Sequence, residues 1–326
     1  IAIYGGSELA LRKTFVVPGG YEMRFVGTTD RLLVSYQLSA SVSSLTDLDW
    51  KDAVLRNVGS YLGLNLIAMA GPRSESVLLG RHRSTDVWLY GDGKPRRLTS
   101  DGENYTAAIS SSGDLLLSKR SENFKVSIWL QRRGGSPKEV STGPADVTPQ
   151  FSPDGKSWAY VDYIRKSIML CSLETGGCRV LHHDESLPSW PEFSPDGKTV
   201  AYLTQTNVPK LMVVSLDGTN VKQMGDAFSQ CSPVWSSATS LWGFESAAGR
   251  HFWSERNVTT GARTGRQVQA EGGQMSANLI SGDAIDCWPK ETSPDSPFFR
   301  PLRVETEERS QLLRLDAAAN TKNVAP

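Results

Sequence analysis

Phe151-Ser-Pro-Asp-Gly155 returns forty-two residues later as Phe193-Ser-Pro-Asp-Gly197. A fixed interval of this length is the mark of a repeat architecture. Stepping by the same interval in both directions reaches Phe25, Ile67, Ile109, Trp235 and Ala277, so six of the seven anchors are large and apolar. The flanks repeat as well. Ile109-Ser-Ser-Ser-Gly113 and Trp235-Ser-Ser-Ala238 are degraded copies of the same turn, and Pro149, Pro191 and Pro233 each precede an anchor by two. In Pro-Asp-Gly the proline presets φ, the aspartate caps the turn and the glycine accepts positive φ, a combination that joins antiparallel strands.

Each anchor is followed by a short apolar run, for example Val77-Leu-Leu79, Leu115-Leu-Leu117, Trp158-Ala-Tyr160 and Val200-Ala-Tyr202. A third run follows in most units, as in Val87-Trp-Leu-Tyr90, Ile128-Trp-Leu130, Ile168-Met-Leu170 and Leu211-Met-Val-Val214. A fourth closes them, as in Val180-Leu181 and Val221-Lys222. No apolar period of helical length intervenes, so each unit reads as a four-stranded antiparallel sheet. Such a sheet cannot bury both faces alone, and stacking the units in a ring protects their edges. The fold class is therefore all-β, a β-propeller of four-stranded antiparallel blades. Seven anchors predict seven blades, with six and an extra N-terminal segment as the alternative. The division expected is an N-terminal segment over 1–24, with Leu11 to Val17 as a candidate ring-closing strand, a propeller over 25–316 and a flexible tail over 317–326.

The units around residues 149–181 and 191–224, with Phe-Ser-Pro-Asp-Gly-Lys followed by Trp-Ala-Tyr or Val-Ala-Tyr, resemble the TolB-like propeller repeat, a relative in shape of the WD repeat. The resemblance implies an extracytoplasmic, periplasmic or extracellular, protein that serves as a binding scaffold, a sensor segment or a propeller ahead of a peptidase. The residues before the first anchor are too few for the separate α/β domain of TolB proper, and those after the last are too few for a fused peptidase.

Charge narrows the partners. Lys plus Arg and Asp plus Glu each number 35, which balances to zero and argues against a nucleic-acid binder. No run approaches the length of a membrane span. The four cysteines, Cys171, Cys178, Cys231 and Cys287, lack the close paired spacing of a zinc site. Disulfides are the expectation and free thiols the alternative. The hairpin-like Cys171-Ser-Leu-Glu-Thr-Gly-Gly-Cys178 favours joining its own two ends, which leaves Cys231 with Cys287.

No nucleophile elbow, zinc-protease helix or phosphate loop is present, so no catalytic residue and no cofactor can be named. His182-His183-Asp184-Glu185 is the densest run of metal-capable side chains. Neighbours in an extended chain point to opposite sides, so a solvated loop is the better reading and no metal is assigned. The connections entering each innermost strand carry Asn104, Tyr105, Asp146, Thr148, Ser189, Trp190 and Gln230. These are the expected ligand-binding rim for a protein or peptide; the alternative is that Tyr105 and Trp190 pack between blades. A non-catalytic binding or sensor propeller is thus the expected function, with a lyase or hydrolase built from loops, with or without a metal, as the alternative.

Overall fold

The computed structural model describes residues 2–5, 10–14, 23–27, 32–37, 42–49, 54–62, 64–70, 75–91, 94–120, 125–227, 231–247, 250–269, 298, 301–316 and 321–323. These fall into two compact units, one of residues 1–85, 120–124 and 306–326, the other of residues 86–119 and 125–305.

In the first unit, β1 (Ala2–Gly5) and β2 (Ala10–Thr14) form an antiparallel hairpin. β3 (Met23–Gly27), β4 (Leu32–Gln37), β5 (Val42–Asp49) and β6 (Val54–Leu62) form a four-stranded antiparallel sheet in sequence order. β7 (Leu64–Ala70) pairs with the first part of β8 (Glu75–Leu89), whose end continues into the second unit and pairs there with β9 (Arg96–Arg97).

The second unit is built on four consecutive antiparallel sheets, each in sequence order. They are β10 (Asn104–Ile109), β11 (Leu115–Arg120), β12 (Val126–Gln131) and β13 (Lys138–Glu139); β14 (Asp146–Phe151), β15 (Ser157–Asp162), β16 (Ser167–Ser172) and β17 (Cys178–His183); β18 (Pro188–Phe193), β19 (Thr199–Thr204), β20 (Lys210–Ser215) and β21 (Val221–Asp226); and β22 (Val234–Ser237), β23 (Ser240–Ala247), β24 (Arg250–Asn257) and β25 (Arg263–Gln269). β26 (Leu302–Asp316) starts in this unit, and β27 (Thr321–Asn323), inside the stretch read as a tail, pairs with its far end.

The blades are therefore four-stranded and antiparallel as expected, but among the described residues five such sheets stand where seven, or six, were predicted. The unit anchored at Ile67 is where the repeat count fails. Its second and third strands were expected at Val77-Leu-Leu79 and Val87-Trp-Leu-Tyr90, yet β8 runs through both without a break. Between them Gly80, Ser84 and Asp86 stand apart from one another, and no Pro or Asp-Gly pair is there to reverse the chain. The last anchor, Ala277, lies outside the described residues.

Alternation along each strand builds the core. Trp158 and Tyr160 face back to Leu116 and Ile128 of the preceding sheet, whereas Ala159, between them, faces Phe193, Val200 and Tyr202 of the next. Leu203 and Leu211 meet Leu241 in the same way. Both faces of each inner sheet are thus buried against neighbours, the condition for stacked blades. The repeated turn holds itself closed: Ser152 Oγ donates to Asp154 Oδ1 at 2.6 Å and accepts from Ser157 N at 2.9 Å, and Ser194 does the same with Asp196 and Thr199 at 2.6 and 3.0 Å.

Candidate functional site

The predicted rim residues lie at the starts of β10, β14 and β18, and the structure directs most of them inward. Asn104 is buried, and its amide donates to Thr99 Oγ1 (3.0 Å) and Asp101 Oδ1 (2.6 Å). Thr99 Oγ1 in turn accepts the Val87 amide at 2.9 Å. One repeat later, Ser141 accepts the Ile128 amide at 2.8 Å and Asp146 replaces Asn104. Asp146 is fully buried, accepts Gly143 N–H at 2.9 Å and lies cross-strand from the buried Asp162. Burial, reinforced by the Asp162 charge, raises its carboxyl above the usual carboxylate range against the opposing pull of Ser141. These two positions tie an inner strand to the sheet before it.

Thr148 and Trp190 both take positive φ, 51° and 52°, immediately before Pro149 and Pro191. Each sits in a bulge where the inner strand slips past its neighbour. Thr148 is buried, and Trp190 packs its half-buried ring against the cluster of Leu203, Leu211 and Leu241. Ser189 is buried and donates to Leu203 O at 3.2 Å, and Tyr105 is half-buried. Gln230 lies outside the described residues.

What the sequence reading passed over is the pair of turns between second and third strands. Ile164 and Val208, at the tips of the β15–β16 and β19–β20 turns, are 67% and 52% exposed. The turns beneath them are fastened to the connection between β17 and β18. Asp184 N donates to Lys166 O (3.0 Å) and Gln205 N to Ser186 O (2.9 Å), while within the first turn Arg165 N donates to Asp162 Oδ1 (2.9 Å). Gln205 Nε2 reaches across to Tyr163 Oη at 2.8 Å. A cleft of about 270 Å³ opens beside Val208, between Ser189, Leu203, residues 204–207 and Pro209. Its hydroxyls already serve the turn: Thr204 Oγ1 accepts Lys210 N at 2.9 Å and Thr206 Oγ1 donates to Val208 O at 2.7 Å. An apolar tip would have signalled the site in Tyr163-Ile-Arg-Lys166 and Thr206-Asn-Val-Pro209, but a lone apolar turn residue in a sequence is common.

The His182 run divides as neighbours in a strand should. His182 lies against the Tyr202 ring, centroids 5.6 Å apart, and burial lowers its pKa despite Asp184. His183 turns outward, with Nε2 3.2 Å from Glu185 and Nδ1 2.9 Å from Arg165 O, contacts that raise its pKa. Among the described residues no three His, Cys, Asp or Glu side chains converge on a metal position. Cys171 and Cys178, cross-strand partners in β16 and β17, are joined by a disulfide. Cys231 is disulfide-bonded too, and its expected partner Cys287 lies outside the described residues.

No family model matches the chain, and no curated protein matches it. Among solved structures, TolB from Acinetobacter baumannii aligns at 15% identity with a TM-score of 0.51, over 76% of this chain and 65% of that one. In fold this chain is a TolB-like propeller. It spans only about two thirds of that TolB, 65% of its length. A protein of Agrobacterium tumefaciens described as TolB aligns at 18% identity and TM-score 0.49, over 82% of this chain and 98% of that one. One of Bacteroides uniformis described as a 6-phosphogluconolactonase gives 15% and 0.42, over 80% and 88%. At these identities the likeness of the TolB-like propeller to its neighbours is one of fold.

Proposed function

We propose that this chain is a non-catalytic binding propeller of an oxidising, extracytoplasmic compartment, periplasmic or extracellular, and that its ligand is a protein or peptide. The observation that carries the reading is the pair of apolar tips, Ile164 and Val208, held out on turns that the Gln205–Tyr163 and Lys210–Thr204 hydrogen bonds fasten. Apolar side chains presented on a rigid support lose little conformational freedom on docking, which favours association. The docking face is then the end of the blades where inner strands begin, with Trp190 and Ser189 behind the cleft rather than on an open rim. The disulfide between Cys171 and Cys178 fits the compartment.

The test is selection of displayed short peptides against the protein, followed by titration against Ile164→Asp and Val208→Asp. Each substitution is expected to weaken the selected peptides at least about tenfold, roughly 1.4 kcal/mol, without moving the melting temperature. Unchanged affinity in both variants would remove this face as the binding site.

A further inference from the structure

Around the two apolar tips most exposed charges are matched in pairs. Lys166 Nζ meets Glu185 Oε2 at 2.8 Å, and Lys210 Nζ meets Asp226 Oδ1 at 2.6 Å. Glu185 also takes His183 on its other oxygen. Arg165 is different. Its side chain is 68% exposed, and among the described residues its one acid partner is Asp162, which is buried and lies 3.6 Å from Nε. Asp162 Oδ1 is already occupied by the Arg165 backbone N–H. The contact on Nε orients the guanidinium, and its two terminal nitrogens have no partner among the described residues. A planar fork facing solvent beside an exposed isoleucine is suited to a carboxylate next to an apolar group.

We propose that the segment docking on this face is anionic, an acidic and apolar peptide whose carboxylate pairs with Arg165 while an apolar side chain covers Ile164. This rests on the docking reading above and adds the chemistry of the partner. Among the described residues the exposed acids beside the tips, Glu185 and Asp226, are each paired with a cation, so a carboxylate from a ligand meets Arg165 without a competing unpaired acid. A basic peptide would meet Glu185 only in competition with Lys166 and His183, which already engage its two oxygens.

Two displayed libraries of short peptides, equal in apolar content and differing only in carrying Asp and Glu or Lys and Arg, test this on the full chain. The acidic library is expected to enrich, and its clones to weaken about tenfold on Arg165→Gln, the loss of one charge-assisted pair. Arg165→Lys should recover part of that affinity, and added salt should weaken binding to the parent more than to Arg165→Gln. Circular dichroism of each variant confirms that it is folded, and the salt dependence of the parent alone keeps the test open should Arg165→Gln not fold. If both libraries enrich equally and Ile164→Asp abolishes binding while Arg165→Gln does not, the docking face stands and the anionic partner is wrong. If no clone from either library depends on Ile164, the docking reading falls and takes this proposal with it.

Discussion

Asp146 stands where Asn104 stands one repeat earlier, and the difference between them is a buried charge. A carboxyl whose folded pKa is raised adds stability that is fully present below the unfolded value, about 3.9, and is lost as pH rises through the folded value. At neutral pH Asp146 is therefore a cost. Asp146→Asn keeps an oxygen for Gly143 N–H and removes the repulsion from Asp162. Its melting temperature should exceed the parent's at pH 7 and converge with it below about pH 4; a lower value at pH 7 would mean that the charge is needed. The position of these residues at inner-strand starts was legible from the repeat. Their inward direction was not, because the bulges at Thr148 and Trp190 reset the alternation on which a facing argument depends.

At the scale of the element, the turns that punctuate the repeat make distinct demands on glycine. Gly155 has φ 65° and open space where a Cβ would stand. Gly155→Ala should then cost about 1 kcal/mol, the left-handed backbone penalty alone. Gly218, at φ 81°, would place a Cβ 2.6 Å from Leu181 O. Gly218→Ala must also displace a main-chain carbonyl, so chemical denaturation should show a clearly larger loss than for Gly155→Ala. Equal losses would show that the neighbouring sheet yields freely there. The same logic explains why the blades between Ile109 and Trp235 were readable and the Ile67 unit was not. Where Ser, Asp and Gly stand together within one short turn the chain reverses, and where they are spread apart, as Gly80, Ser84 and Asp86 are between Leu79 and Val87, β8 continues as a single strand.

For the whole molecule the cysteines connect fold to compartment. Cys171 is buried among Trp158 and Met169 while Cys178 is exposed. Attack by an external thiolate on the exposed sulfur would expel a thiolate into an apolar site, a poor leaving group. The bond should therefore resist reductant under native conditions and yield once denaturant is added, as alkylation and mass measurement would reveal. Replacing both residues by serine should lower stability by about 2 kcal/mol, given the short loop that is closed. Ready reduction of the native protein would contradict the burial of Cys171.

The sequence by itself determined the repeat, its four-stranded unit and the antiparallel pairing, and it favoured the Cys171–Cys178 bond, because these follow from local turn chemistry and from periodicity over adjacent residues. The tertiary structure decided how many such sheets form, which side chains of the inner strands are buried, and that Ile164 and Val208 are left exposed beside Arg165. Those outcomes depend on what each face meets in the neighbouring sheet. A bulge or an uninterrupted strand changes that without altering the period.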